Sequence, residues 1–155
     1  MTPYIELTYD SERELFSAPV LLTVGSGGDL RYQSEEMYVD TGSSISSVAV
    51  GTAEALGLDP STLPRETIGG QGGFAAEPVA SGVSVAIGGR QVELDKVRIA
   101  LELREKVRKK SGKMRRVGER VVPALSLLGL DALRKLGARL IVDLSSQPTA
   151  RIEWD

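Results

Sequence analysis

Asp40 follows the apolar step Tyr38-Val39 and is itself followed at once by Thr41, Gly42, Ser43 and Ser44. A carboxylate in that setting can serve as a general acid or base if a tight loop holds it still. Gly42 permits dihedrals and close approaches that a Cβ would forbid, and neighbouring hydroxyls can hydrogen-bond the carboxylate. Asp-x-Gly is also an ordinary turn, so the triplet gains weight only from its company. Downstream, Ile68-Gly69-Gly70-Gln71-Gly72-Gly73-Phe74 carries four glycines in seven residues. Further on, Leu127-Leu128-Gly129-Leu130-Asp131-Ala132-Leu133-Arg134-Lys135-Leu136-Gly137 reads as a buried strand, a turn and a short helix closed by glycine.

These three motifs, in this order, resemble those of the retropepsins, the retroviral-type aspartic proteases. The glycine-rich segment is similar to the flap of that family, with Gln71 at the tip, and the resemblance runs roughly from Val20 to Asp143. It implies an all-β fold, a closed or partly closed barrel with one short C-terminal helix, and an aspartic endopeptidase without metal or cofactor. By the same resemblance Asp40 is the general base and acid. Thr41 braces the loop across a two-fold axis, and Gly42 offers its carbonyl to a substrate backbone. Ser43, where retroviral enzymes usually carry Ala, is expected to donate to the Asp40 carboxylate. Ser44, Ile68, Gly69, Gly70, Gln71, Leu125 and Leu127 are the expected substrate contacts, the flap residues closing over an extended peptide.

One carboxylate cannot run this chemistry. It needs one ionised group to take a proton from water and one protonated group to polarise the carbonyl, and two such groups in contact share a proton. The chain has one Asp-Thr-Gly. In Val142-Asp143-Leu144-Ser145-Ser146, Leu144 and Ser145 replace Thr and Gly, so this segment reads as strand rather than as a second catalytic loop. A homodimer presenting two copies of Asp40 is therefore expected. The sequence also departs from the retroviral pattern, in which an Arg after the strand glycine pairs with an acid two past the catalytic Gly. Here those positions are Leu130 and Ser44.

The composition prunes other chemistries. The 155 residues include no Cys and no His, which rules out disulfides, Cys or His metal cages, Cys-His pairs and Ser-His-Asp triads. The length suits a single domain over 1–155. With no signal pattern in the first ten residues and no membrane-length apolar run, a cytoplasmic protein without membrane association is expected. The net charge of −2 gives no global reason to bind nucleic acid. Charge is uneven, however: nine Lys/Arg lie between Arg104 and Arg120 against Glu105 and Glu119. This stretch is read as an inserted basic loop with a hairpin tip near Ser111-Gly112. It is a solvated tip, a docking patch for an acidic partner or a basic cleavage site.

Around these motifs the sequence predicts short strands: 4–9, 19–24, 30–39, 45–50, 83–87, 91–94, 96–103, 121–128, 140–144 and 150–154. Gly88-Gly89 fits a two-residue hairpin, and 52–57 makes one or two helical turns. Two rival functions stay open at this level. One is a retropepsin-fold module that binds peptides or dimerises without cleaving; the other is a hydrolase with a Ser nucleophile and a Lys base. A phosphate cradle at the glycine run is disfavoured because no Gly-Lys-Ser/Thr follows.

Overall fold

The computed structural model describes residues 2–70, 73–111 and 114–155, leaving aside the side chains of 70–75, 103–120 and 122. In chain order the elements are β1 (Tyr4–Glu6), β2 (Thr8–Asp10), β3 (Leu15–Val24), β4 (Arg31–Val39), β5 (Ser47–Ala49) and α1 (Val50–Ala55). There follow β6 (Arg65–Gly70), β7 (Gly73–Ala80), β8 (Val83–Ile87), β9 (Arg90–Leu94) and β10 (Val97–Ala100). The last group is β11 (Leu103–Ser111), β12 (Met114–Val122), β13 (Leu127–Leu128), α2 (Leu130–Lys135), β14 (Arg139–Asp143) and β15 (Thr149–Glu153).

The main sheet runs β6-β7-β10-β5-β13-β4-β3-β8-β9, with β2 added on β3. Its end strands, β6 and β9, do not pair with each other, so the curled sheet is an open half-barrel. Period-two alternation decides its inner face: Val83, Val85 and Ile87 of β8 are buried while Ser84 and Ala86 between them are less so. Leu22, Met37, Val48, Ile99 and Leu128 meet them in one core. Each fully buried side chain of this size stabilises the fold by about 1.5–3 kcal/mol relative to exposure.

Both helices end in the same way. After α1, Gly57 at φ +76° lets its own N–H reach the Glu54 carbonyl (2.9 Å) and the Leu58 N–H reach the Ala53 carbonyl (2.9 Å). Gly137 at φ +63° repeats the pattern after α2, onto Arg134 and Leu133. These paired bonds satisfy the last carbonyls of a short helix, and only glycine takes that φ without strain.

Three expectations need correction. The run 4–9 is two strands, because the chain changes sheets at Leu7: β1 pairs with β15 and β2 with β3, while the Leu7 N–H bonds the Ala150 carbonyl and its side chain enters the core. The run 121–128 is not one strand. Only Leu127–Leu128 joins the main sheet, after an irregular 123–126 in which Pro123 has no N–H to give a ladder. The basic stretch is not a loop. β11 and β12 form a regular antiparallel ribbon from Leu103↔Val122 to Ser111↔Met114.

The termini are tied down within the chain. β1, β15 and β14 make a three-stranded sheet, and Ala150, Ile152 and Trp154 belong to the main core. The C-terminal hairpin therefore packs on the body of its own chain.

Candidate active site

The topology explains why Asp40 is held so firmly. β13 is inserted between β4 and β5, parallel to the first and antiparallel to the second. The connection from β4 to β5, residues 40–46, must consequently arch over the end of β13. The Asp40 N–H donates to the Leu128 carbonyl (3.0 Å), and the Leu130 N–H donates back to the Ser43 carbonyl (2.8 Å). Inside the loop, the Gly42 N–H donates to Asp40 Oδ1 (2.9 Å) and the Ser43 N–H to the Asp40 carbonyl (3.2 Å). A Cβ on Gly42 would lie 3.1 Å from that same carboxylate oxygen, so glycine suits both the turn and the bond.

Beneath the loop lies a polar anchor. Ser46, fully buried, donates through Oγ to Asp131 Oδ1 (2.7 Å) and accepts from the Gly129 N–H (2.9 Å). Asp131 Oδ1 also accepts the N–H groups of Ser46 (3.0 Å) and Ala132 (2.8 Å). Three donors thus converge on one oxygen of this partly buried carboxylate. It ties the first turn of α2 to the strand that leaves the Asp40 loop. Nearby, Ser126 Oγ accepts the Ala49 N–H (2.9 Å).

Asp40, partly buried, opens on a cavity of about 210 Å³ lined also by Gly42, Ser43, Ser44, Ile45, Ile68, Gly69, Arg98 and Leu127. Ile68 and Gly69 come from the β6–β7 hairpin, in which Gly70 pairs with Gly73. An adjoining hollow of about 240 Å³ shares Arg98 and Leu127 and adds Leu125, Leu101 and Glu77. Arg98 Nε stands 3.0 Å from Glu77 Oε2, a half-buried pair between the two spaces. A larger hollow of about 400 Å³ lies over the terminal sheet, lined by Glu6, Leu7, Ile141, Asp143 and others. It holds none of the residues singled out for chemistry.

On the far side of the loop, Tyr38 Oη donates to Asp10 Oδ2 (2.8 Å) and Arg13 adds an ion pair at 2.9 Å. The Tyr38 hydroxyl bond, with help from Arg13, holds the Asp10 carboxyl down at about 2. This clamp secures β2 to the strand that delivers Asp40.

The aspartyl protease family profile matches residues 26–132, well over half of the chain. The chain belongs to the aspartyl protease family. Its fold is retropepsin-like: the crystal structure of a retropepsin-like aspartic protease from Rickettsia conorii superposes with a TM-score of 0.63 at 17% identity, covering 99% of this chain and 92% of that one. No curated protein matches the sequence. The match spans the Asp40 loop, the glycine-rich hairpin and the Leu127-Leu128-Gly129 strand, the segments that meet around the cavity.

Of the residues read from sequence, Asp40, Gly42, Ser44, Ile68, Gly69 and Leu127 line one cavity. Leu125 lines the adjoining one. Thr41 is exposed and lines neither. Gln71 lies outside the described residues. The expectation for Ser43 is wrong in this chain: its hydroxyl donates to the Ile45 carbonyl at 2.6 Å, bracing the turn, and the Asp40 carboxylate is held by the Gly42 N–H instead. Ser46, Asp131 and Arg98 escaped the sequence reading, since each is an ordinary polar residue until the fold brings it to its partner. Asp131 left one trace, an acid in the first turn of a helix just after the strand glycine.

Proposed function

We propose that the protein is an aspartic endopeptidase whose active site is completed by a second copy of the chain. The observation that carries this reading is a loop built to present one carboxylate. Among the described residues Asp40 is the sole acid lining its cavity, although the chemistry needs two. With a second Asp40 across a two-fold axis, one carboxylate is ionised and takes a proton from water. The other is protonated and hydrogen-bonds the scissile carbonyl as the water oxygen attacks. Collapse of the tetrahedral intermediate breaks the C–N bond, and the leaving nitrogen takes the proton. Aspartic proteases are the standing example of such a shared proton, and its titration belongs to the pair.

Ile68 and Gly69 of the hairpin would cover an extended peptide, Gly42 would bond its backbone, and Leu127, with Leu125 behind it, would form apolar wall. Exposed apolar side chains on both faces of the edge strand β14 and just after it (Ile141, Val142 and Leu144) also support association with another copy.

A second reading, a peptide-binding module without activity, draws on one observation. The terminal strands, which retroviral enzymes share between subunits, are here paired within the chain. Mixing separates the readings. Purified protein should cleave members of a mixed peptide library at acidic pH, and Asp40→Asn should lose about 10²–10⁴-fold, the usual worth of a general acid–base group. Excess Asp40→Asn added to wild type should then suppress cleavage by forming dead mixed dimers. Cleavage that persists in Asp40→Asn, or a strict monomer that stays fully active in the mixture, would sink the proposal.

A further inference from the structure

We propose that the β11–β12 ribbon is a substrate-capture arm that binds an acidic segment of the polypeptide beside the scissile region; this rests on the endopeptidase reading and names its substrate class.

The first observation is charge. From Arg104 to Arg120 nine Lys/Arg face two Glu, a surplus of seven; the chain carries −2 in all, so the remainder carries −9. An Asp/Glu-rich polypeptide is repelled by the body and attracted to one place, the ribbon.

The second is position. β10 carries Arg98 and Ala100 and is followed by Leu101, two residues before β11 begins; β12 ends immediately before Pro123, Ala124 and Leu125. All six of these flanking residues line the hollow that adjoins the Asp40 cavity, and Leu127 and Arg98 line both. The ribbon therefore springs from two walls of the cleft region. Nine residues per strand make an arm on the order of 30 Å long, and it joins no other strand among those described.

The third is register. Residues paired across an antiparallel ladder share a face, and alternate residues change face. The pairing Arg104↔Val121, Lys106↔Glu119, Arg108↔Val117 and Lys110↔Arg115 places five Lys/Arg and one Glu at alternate register positions of the ribbon. Along a strand such positions recur every two residues, which is also the spacing of alternate side chains in an extended peptide. An extended segment with acids at alternate positions matches that row. A long nucleic acid fits less well, because its continuous charge would run past the ribbon onto a body of −9.

The test measures binding without catalysis. Asp40→Asn protein is titrated against a dye-labelled peptide of alternating Glu and Ser, and against one of alternating Lys and Ser, following fluorescence anisotropy. The acidic peptide should bind, the basic one should not, and affinity should fall on the order of tenfold or more between about 0.05 and about 0.5 M salt. Adding Lys106→Glu, Arg108→Glu and Lys110→Glu should abolish binding, and the three Gln substitutions should weaken it by an intermediate factor, with circular dichroism verifying that each variant folds. Equal binding of the two peptides, or undiminished binding by the Glu variant, overturns the proposal. So does a DNA duplex that binds more tightly than the acidic peptide, or a Glu variant whose sedimentation shows that it has lost a dimer. Because binding is read on inactive protein, the two proposals fail separately: acidic-peptide binding with no cleavage by wild type refutes only the endopeptidase reading, and cleavage without such binding refutes only the arm.

Discussion

Gly129 packs against Ser43 so closely that an added Cβ would lie 2.8 Å from the Ser43 carbonyl oxygen and 3.0 Å from the Ile45 carbonyl carbon. The contact is backbone on backbone, and no flexible side chain can move aside. It exists because the Asp40 loop arches over the end of β13, where the Leu130 N–H also bonds that same carbonyl at 2.8 Å. Gly129→Ala should therefore cost about 1–3 kcal/mol, in line with other overpacked sites. The midpoint of thermal unfolding should drop by about 2–4 °C per kcal/mol, and cleavage should fall with it as the loop shifts. A variant with unchanged melting and full activity would mean that the loop is not seated on this glycine.

Ser46→Ala removes the acceptor for the Gly129 N–H and a donor to Asp131 in one step. Leaving the buried Gly129 N–H unpaired should cost about 1–3 kcal/mol, while Asp131 keeps the N–H groups of Ser46 and Ala132. Asp131→Ala should overlap with it. In a double-mutant cycle read by urea unfolding, the pair should show a coupling of about 0.5 kcal/mol or more, and strict additivity would argue that the two residues do not act as one anchor.

The clamp at Asp10 sets a pH dependence. Tyr38 Oη and Arg13 lower its carboxyl from the ordinary 3.8 to about 2 in the folded protein. The folded value lies below the unfolded one, so the contribution is fully present above 3.8 and is lost as pH falls toward 2. Wild type should thus lose melting temperature between about pH 4 and about pH 2, and Asp10→Asn should show a shallower decline over that window. Superimposable pH profiles of the two proteins would contradict the assignment. An enzyme working at pH 4–5 would keep its clamp (roughly, by the same linkage).

Leu127 stands between the Asp40 cavity and its neighbour and lines both. Leu127→Ala should enlarge the apolar wall and move preference toward bulkier substrate side chains, by about 1–3 kcal/mol in relative kcat/KM for each methylene of misfit. Cleavage-site profiling of a peptide library before and after the substitution checks this. An unchanged profile would assign Leu127 to the core alone.

The sequence by itself determined the parts whose meaning is local. Asp40-Thr41-Gly42 is a carboxylate in a turn that glycine permits, and Gly88-Gly89, at φ +55° and +84°, is a hairpin turn that most other residues would strain. Leu128 and Leu133 are buried because an apolar strand and helix face must find a core. The alternation in Val83–Ile87 likewise carried its own sheet face. These features depend on dihedral preference and hydrophobic period, both properties of neighbours along the chain.

Tertiary structure decided the rest. The Ser46–Asp131 anchor joins residues 85 positions apart, and nothing in either neighbourhood marks the other. Ser43 had two acceptors within reach of its loop, and only the folded turn selected the Ile45 carbonyl over the carboxylate. The basic stretch became a ribbon rooted at the cleft because β10 and β13, to which it is tethered, are brought to one wall by their separate pairings with β5. Each of these outcomes is a choice among polar partners or strand neighbours of similar local merit, and only the three-dimensional path of the chain brings the chosen ones within hydrogen-bonding distance.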